Sequence, residues 1–419
     1  MDKKVHFQIP FPQEPFMLTP DQKAIVKATV PALEAHGETI TRTFYASMFA
    51  AHPELLNIFN PANQQTGKQA RSLAASVLAY AAHIDHPEVL GGMVGRIAHK
   101  HVSLEVRPEH YPIVGEHLLG AIAQVLGDAA TPEILDAWAA AYGELADLMI
   151  GVEQGMYDAG AEQPGGWRDF RPFRVARKVT ESRVITSFVL EPVGGGPLPA
   201  YQPGQYLSLK VKVPGQDTWQ IRQYSLSDAP SREHYRISVK REDGGLVSGH
   251  LHDTVQEGDE LLVHVPAGDF VLQRSERPVV LISGGVGITP MLAMVQTLAR
   301  EGSQRPVTFI HAAQNGSVHA FRDDVARLTR EYPHFRKVVF YDDAQPGDVL
   351  GTHHDVAGRL SLDAVRGALP AGDAEFYFCG PVGFSGAVEA LLDELQVPAE
   401  RRFTETFGPS QSFAALIPG

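Results

Sequence analysis

Apolar residues recur every three to four positions through the first ~155 residues, the spacing of helical faces. Ile40, Phe44 and Met48, with Phe49 beside them, share one such face, and Leu73, Val77, Tyr80 and Ala81 share another. Thr19-Pro20-Asp21-Gln22 predicts a helix start, with Thr19 as the cap and Pro20 at the first helical position. Further helices are predicted near 88–101, 111–127 and 132–157, and no alternating β-branched run interrupts them. This first part reads as all-α, behind an irregular Pro- and Phe-rich arm. Gln163-Pro164-Gly165-Gly166 breaks the pattern. Beyond it the period becomes two, in the short strands Arg174–Lys178, Val184–Glu191, Tyr206–Val211, Arg222–Leu226 and His234–Val239. Evenly spaced short strands predict a small antiparallel barrel, closing near Ala267-Gly268-Asp269-Phe270. From Arg277 a third rhythm begins. Val279–Ser283, Val307–His311, Lys337–Tyr341 and Glu375–Phe378 are apolar strands separated by helical stretches such as Met291–Arg300. That alternation predicts a doubly wound parallel sheet.

Composition narrows this picture. A chain of 419 residues exceeds what one core usually holds, so two or three domains are expected. No apolar run reaches the ~18 residues of a membrane-spanning helix. Pro10, Pro12 and Pro15 break the segment that would form a signal core behind Lys3 and Lys4. The single cysteine cannot form an internal disulfide, so a reducing cytoplasm is expected. The net charge is −13, and residues 1–163 carry −9 of it, with 10 basic against 19 acidic side chains. Such a balance argues against nucleic acid or an anionic membrane as the main partner.

Four short motifs carry chemistry in the second half. Arg222-Gln223-Tyr224-Ser225, behind Pro203-Gly204-Gln205-Tyr206, supplies a cation, an aromatic face and a hydroxyl on one strand, the residue types a flavin dinucleotide requires. Gly244-Gly245-Leu246-Val247-Ser248 places small residues at a helix start, where backbone N–H groups suit a pyrophosphate. Ser283-Gly284-Gly285-Val286-Gly287-Ile288-Thr289-Pro290 links an apolar strand to a helix, with Thr289 expected as the cap and Pro290 in the first turn. Cys379-Gly380-Pro381 follows a strand, at the carboxyl end where open α/β sheets bind ligands. In this order and spacing the motifs resemble the ferredoxin-reductase-like flavin and nicotinamide proteins. The resemblance implies that Tyr206, Arg222, Gln223, Tyr224 and Ser225 bind FAD. It implies that Gly245, Val247 and Ser248 assist, that Gly285, Val286, Gly287, Ile288, Thr289 and Pro290 bind nicotinamide phosphate, and that Cys379, Gly380 and Pro381 lie at the nicotinamide. It also implies that Glu405, Thr406, Phe407, Gly408 and Pro409 cover the flavin, although the family often has Cys where Thr406 stands and Gln where Ile288 stands.

The helical half holds nine of the 18 histidines. His101 closes a helical stretch, and His99, His110 and His117 are rivals for any ligand role that spacing alone does not separate. Gln69 and Leu73 share a face of an earlier helix. Thr43–Phe49, Asn57-Ile58-Phe59-Asn60, Ile97–His101, Glu109–Leu119 and Ala137-Trp138 through Tyr142-Gly143 resemble the globin domain of flavohaemoglobins. The likeness runs from about residue 17 to 410. It implies an N-terminal arm (1–16), a globin domain (17–157), a linker (158–166), an FAD-binding six-stranded barrel (167–272), an NAD(P)-binding domain (273–411) and a tail (412–419). It implies haem b with His101 as proximal iron ligand and Tyr111 and Glu153 as its hydrogen-bonding partners. Tyr45, Gln69 and Leu73 then form the distal pocket, Phe59 packs on the haem, and Lys100 and Glu405 stand between haem and flavin.

The activity so implied is nitric oxide dioxygenation: NAD(P)H reduces FAD, FAD reduces haem, and ferrous haem with dioxygen oxidises nitric oxide to nitrate. A gas-sensing globin with an accessory reductase is the alternative, as is a side activity on alkyl hydroperoxides with lipid in the pocket. A monomer is expected. No arginine follows the strand Val307–His311 until Arg322, which leans toward NADH over NADPH.

Overall fold

The structure, a computed structural model, describes residues 18–59 and 68–407, the side chains of 68–70 excepted. These residues form two compact units. One holds the described residues through Glu162 together with 216–221; the other holds 163–215 and 222–407. The expected arm and tail lie outside the described residues.

The first unit is built on five α-helices among its described residues: α1 (Pro20–Ala51), α2 (Lys68–Ala82), α3 (Gly91–Val102), α4 (His110–Leu126) and α5 (Pro132–Glu162). Thr19 caps α1 as its sequence predicts. Its hydroxyl accepts from the Gln22 amide at 3.2 Å, and the Gln22 side chain accepts from the Thr19 amide at 2.9 Å. This reciprocal pair satisfies two donors that a helix start otherwise leaves unpaired. Ile40, Phe44 and Met48 face a core shared with Leu78, Ala98, Leu118, Trp138 and Met149. Trp138 keeps its indole N–H satisfied by donating to the Thr29 hydroxyl at 2.9 Å. α5 runs five residues past the expected domain end at 157, because Tyr157 and Gly160 continue its buried face. The expected linker is therefore helical up to Glu162.

The second unit contains two sheets. The first joins β1 (Phe170–Thr180), β2 (Ile185–Pro192), β3 (Tyr206–Val211), β4 (Gln220–Ser225, of which the last four residues belong to this unit), β5 (Tyr235–Lys240) and β6 (Glu260–His264). Their order is β4-β3-β6-β1-β2-β5. The edges meet through an antiparallel bridge between Leu226 and Ile237, and Ser227 donates to the Arg236 carbonyl at 2.9 Å. β6 is a strand that the sequence pattern did not single out. It is short, and it pairs centrally with β1 and β3. A helix, α6 (Leu246–Asp253), lies between β5 and β6.

The second sheet is parallel. Its strands are β7 (Val279–Gly284), β8 (Val307–Ala313), β9 (Phe335–Tyr341), β10 (Val356–Ala357), β11 (Glu375–Cys379) and β12 (Arg402–Glu405), in the order β10-β9-β8-β7-β11-β12. The helices α7 (Ile288–Arg300), α8 (Arg322–Glu331), α9 (Leu362–Arg366) and α10 (Val382–Glu394) connect them. The chain builds outward from β7 through β8 and β9, then returns to place β11 on the other side of β7. The carboxyl ends of β7 and β11 therefore flank the point where strand order reverses, which is where such sheets bind ligands. Ile185 and Phe270 join Met291, Leu292 and Val295 of α7 in one core, so the barrel and the parallel sheet are packed together.

Candidate functional site

In the helical unit, three helices converge on one nitrogen. His101 lies in the last turn of α3, Tyr111 in the first turn of α4 and Glu153 in the middle of α5. His101 Nδ1 lies 2.8 Å from Glu153 Oε1 and 3.2 Å from the Tyr111 hydroxyl. Tyr111 donates to the same carboxylate oxygen at 2.6 Å. Glu153 is buried, and a buried carboxyl is costly unless donors surround it. Here it has two. A carboxylate acceptor at Nδ1 orients the ring and leaves Nε2 as the nitrogen that could bind a metal. Burial, with Glu153 next to it, raises the Tyr111 phenol well above its ordinary value, so it stays a donor.

Two of the rival histidines are engaged elsewhere. His117 Nδ1 lies 3.1 Å from the Ser47 hydroxyl, and His110 Nδ1 accepts from the Arg107 amide at 3.0 Å. Across the unit, Tyr45 is buried on α1. Its ring stacks on Phe49 at 5.7 Å and meets the edge of Phe59 at 5.9 Å. Phe59, Leu73, Val77 and Ile97 are half-buried apolar residues packed against the core. A free imidazole nitrogen and an incompletely covered apolar wall fit haem. Gln69 begins α2, but its side chain lies outside the described residues. Lys100 is half-buried beside His101. Tyr142 was not anticipated: its hydroxyl donates to the Tyr111 carbonyl at 2.7 Å, and a Cβ on Gly115 would come within 2.6 Å of its ring.

The barrel carries Arg222, Gln223, Tyr224 and Ser225 along β4, with Tyr206 opening β3 against Gly268. Gln223 donates to the Ser208 hydroxyl at 3.3 Å. Desolvation lowers the Arg222 guanidinium from its ordinary value, so an anion beside it would be stabilising. The Ser248 hydroxyl accepts from the Glu242 amide at 3.1 Å and folds back over Gly245, where a Cβ would collide with it. Val247 is buried beside it. A desolvated cation and a glycine cradle fit the flavin dinucleotide.

At the parallel sheet, Gly285 has φ +55° and Gly287 packs onto the Cys379 carbonyl so closely that no Cβ would fit. Thr289 does not cap α7, contrary to the sequence reading. The helix begins two residues earlier than expected, at Ile288, with Gly287 as its cap residue. Thr289 is already inside the first turn and donates to the Val286 carbonyl at 3.0 Å. α7 runs on from a 3-10 turn over Gly285–Gly287, and the Ile288 amide donates back into that turn, so the N–H groups that suit phosphate are those at the start of the turn, which has no side-chain cap. Ile288, Thr289 and Pro290 are buried, while Gly285 and Val286 are partly exposed. Any contact from Ile288 would therefore be made by backbone. Cys379 ends β11 with its side chain fully buried, and burial pushes its thiol up. It too can meet a ligand only through backbone, beside Gly380 and the exposed Pro381. Phe384, which sequence reasoning missed, lays its ring against Gly284 and Gly380, within 3.0 Å and 2.5 Å of the positions their Cβ atoms would take. Glu405 pairs in register with Cys379 at the end of β12, followed by Thr406 and an exposed Phe407. Gly408 and Pro409 lie outside the described residues.

Among the described residues, no helix is long and apolar enough to cross a membrane. Residues 42–149 match the family described as Globin, 173–272 the oxidoreductase FAD-binding domain and 281–390 the oxidoreductase NAD-binding domain. The flavohemoprotein of Deinococcus radiodurans is 90% identical over 403 residues, covering 96% of this chain and 100% of that one. The crystal structure of a flavohemoglobin from Malassezia yamatoensis with bound FAD and heme superposes with a TM-score of 0.83 at 29% identity, covering 93% of this chain and all 100% of that one. The FAD/NAD-binding domain of a nitric oxide dioxygenase from Vibrio cholerae is 43% identical, with a TM-score of 0.53 over 58% of this chain and 100% of that domain. An NAD(P)H-dependent oxidoreductase whose cofactors are haem, FAD and a nicotinamide dinucleotide, the chain belongs to the flavohemoprotein family.

Proposed function

We propose that this chain is a nitric oxide dioxygenase, driven by NADH or NADPH and working as a single chain in the cytoplasm. The observation that carries the reading is the bonding of His101 Nδ1 to Glu153, with Tyr111 on the same oxygen. When bound, nicotinamide, flavin and haem would together supply the electrons and the oxygen chemistry that oxidise nitric oxide to nitrate. The residues do the rest. Glu153 holds the proton on Nδ1 and so raises the basicity of Nε2, and Tyr111 keeps the carboxylate in place. With haem bound, a more basic imidazole would favour activation of oxygen over storage. Tyr45, its ring fixed between Phe49 and Phe59, offers a hydroxyl as a preorganised donor where negative charge develops. Leu73 and Phe59 exclude water from that side. Arg222, Tyr224, Ser225 and the Gly245–Ser248 turn hold FAD; Gly285–Pro290 and Cys379-Gly380-Pro381 receive nicotinamide. The similarity to the Vibrio cholerae domain supports the same reading.

Aerobic NADH consumption by the holoprotein tests it. The rate is expected to rise sharply on adding nitric oxide and to fall back when the gas is exhausted. NADH consumption indifferent to nitric oxide would instead mark a gas-binding globin with an accessory reductase.

A further inference from the structure

The β8 strand is the second strand of the nucleotide fold, and its carboxyl end is where such folds tell a ribose 2′-hydroxyl from a 2′-phosphate. An acid there favours NADH. The end of β8 and the segment after it, Ala312-Ala313-Gln314-Asn315-Gly316-Ser317, contain none. The structure brings one in from another loop. The chain after β9 zips onto the chain after β8: Asp342 donates to the Ala313 carbonyl at 3.3 Å and Asp343 to the Gln314 carbonyl at 2.9 Å. Asp348 completes the junction. Its Oδ2 accepts from the Gly316 amide at 3.1 Å and the Gln345 amide at 2.9 Å. Its Oδ1 lies where a Cβ on Gly316 would stand, so only glycine permits the approach.

We infer that Asp348 is the residue that selects NADH over NADPH, by holding a carboxylate at the end of β8. The inference rests on nicotinamide binding by this unit and is independent of nitric oxide. The two backbone donors hold the Asp348 carboxyl below its ordinary value, so it is ionised at neutral pH. Residues 342–348 add Asp342 and Asp343 and no cation, which deepens the repulsion of a 2′-phosphate. Val349 and Leu350 follow, 53% and 62% exposed, an apolar step of the kind an adenine face covers. The rival is Arg322. It is exposed at the start of α8 and lies near the Tyr341 hydroxyl, where a cation would favour the phosphate.

Asp348→Asn separates charge from structure. Both backbone bonds fall on one oxygen, so the amide carbonyl of Asn retains them and the loop keeps its shape. The holoprotein is titrated calorimetrically with ADP-ribose and with its 2′-phosphate. Wild type is expected to prefer ADP-ribose by about tenfold or more, and Asp348→Asn to lose most of that ratio at unchanged haem and FAD content. Gly316→Ala, which displaces the carboxylate without removing its charge, is expected to erode the ratio as well. Arg322→Ala is expected to leave it unchanged or raise it. The inference is overturned if Asp348→Asn keeps the wild-type ratio, or if Arg322→Ala rather than Asp348→Asn moves it. Equal wild-type binding of both ligands overturns it alone; binding of neither overturns the nicotinamide reading too.

Discussion

The two units build their sites by opposite means. The helical unit works with side-chain atoms: His101, Tyr111 and Glu153 come from three helices and meet at one nitrogen. The barrel and sheet unit works by leaving atoms out. Gly245, Gly287, Gly316 and Gly380 each stand where a Cβ would strike a hydroxyl, a carbonyl, a carboxylate or a ring. The first kind of site fails when a polar atom changes at constant volume. The second fails when a methyl group is added at constant chemistry.

The largest effect is expected from removal of the His101 imidazole. His101→Ala is expected to purify without a Soret band while its flavin spectrum stays intact. Next comes the glycine arm: Gly287→Ala has to separate α7 from the Cys379 carbonyl, and a shift of about 1 Å costs on the order of 100-fold in rate. Stopped-flow reduction of FAD by NADH should show that loss, with haem content normal. Glu153→Gln keeps the volume and weakens the bond to Nδ1. Loss of such an outer partner typically costs about 10- to 100-fold in affinity or activity, so nitric-oxide-dependent turnover should fall by that order while FAD reduction by NADH is unchanged.

Acid acts on the sheet unit through two buried histidines. In the sheet unit His311 bonds Ser283 at 2.9 Å, packs on His319 at 4.7 Å, and His319 bonds Tyr341 at 2.8 Å. Burial first, then Arg322 and Lys337, hold His319 down to about 3, and burial and His319 lower His311 as well. Both are neutral when folded, whereas an unfolded histidine takes a proton near 6.5. Between those values the unfolded state binds more protons, so stability is complete above pH 6.5 and falls as pH falls. The slope is at most about 1.4 kcal/mol per pH unit for each histidine. Urea titrations at pH 7.5 and 5.5 should show it, and His319→Gln should flatten it. The smallest effect belongs to Tyr142→Phe. It removes the bond to the Tyr111 carbonyl and is expected to cost about 1 kcal/mol, read as a lower melting temperature with the haem spectrum preserved.

What the sequence made legible follows the same division. The periodicities separated helices, barrel and parallel sheet because each has its own burial pattern. The Thr19 cap was readable because its partner Gln22 is three residues away. The haem-side triad needed the family resemblance, since His101 and Glu153 are 52 residues apart and no local rule pairs them. Thr289 was misread because a Thr-Pro pair at a strand–helix junction looks like a cap, while the glycines before it let the helix start earlier. Phe384 and Asp348 were invisible. Their roles are defined by glycines in other loops, and a glycine's sequence context does not say what will fill the space beside it.

If the chain is a nitric oxide dioxygenase, the His101–Glu153–Tyr111 arrangement serves that reaction. The most direct measurement is a single turnover: holoprotein reduced anaerobically with NADH, mixed with oxygen and then with nitric oxide, and analysed for nitrate. With nitric oxide supplied at one equivalent per haem, close to one nitrate per haem is expected, with the yield collapsing in Glu153→Gln under the same brief mixing. Nitric oxide recovered unchanged, with no nitrate formed by the wild-type holoprotein, would contradict it.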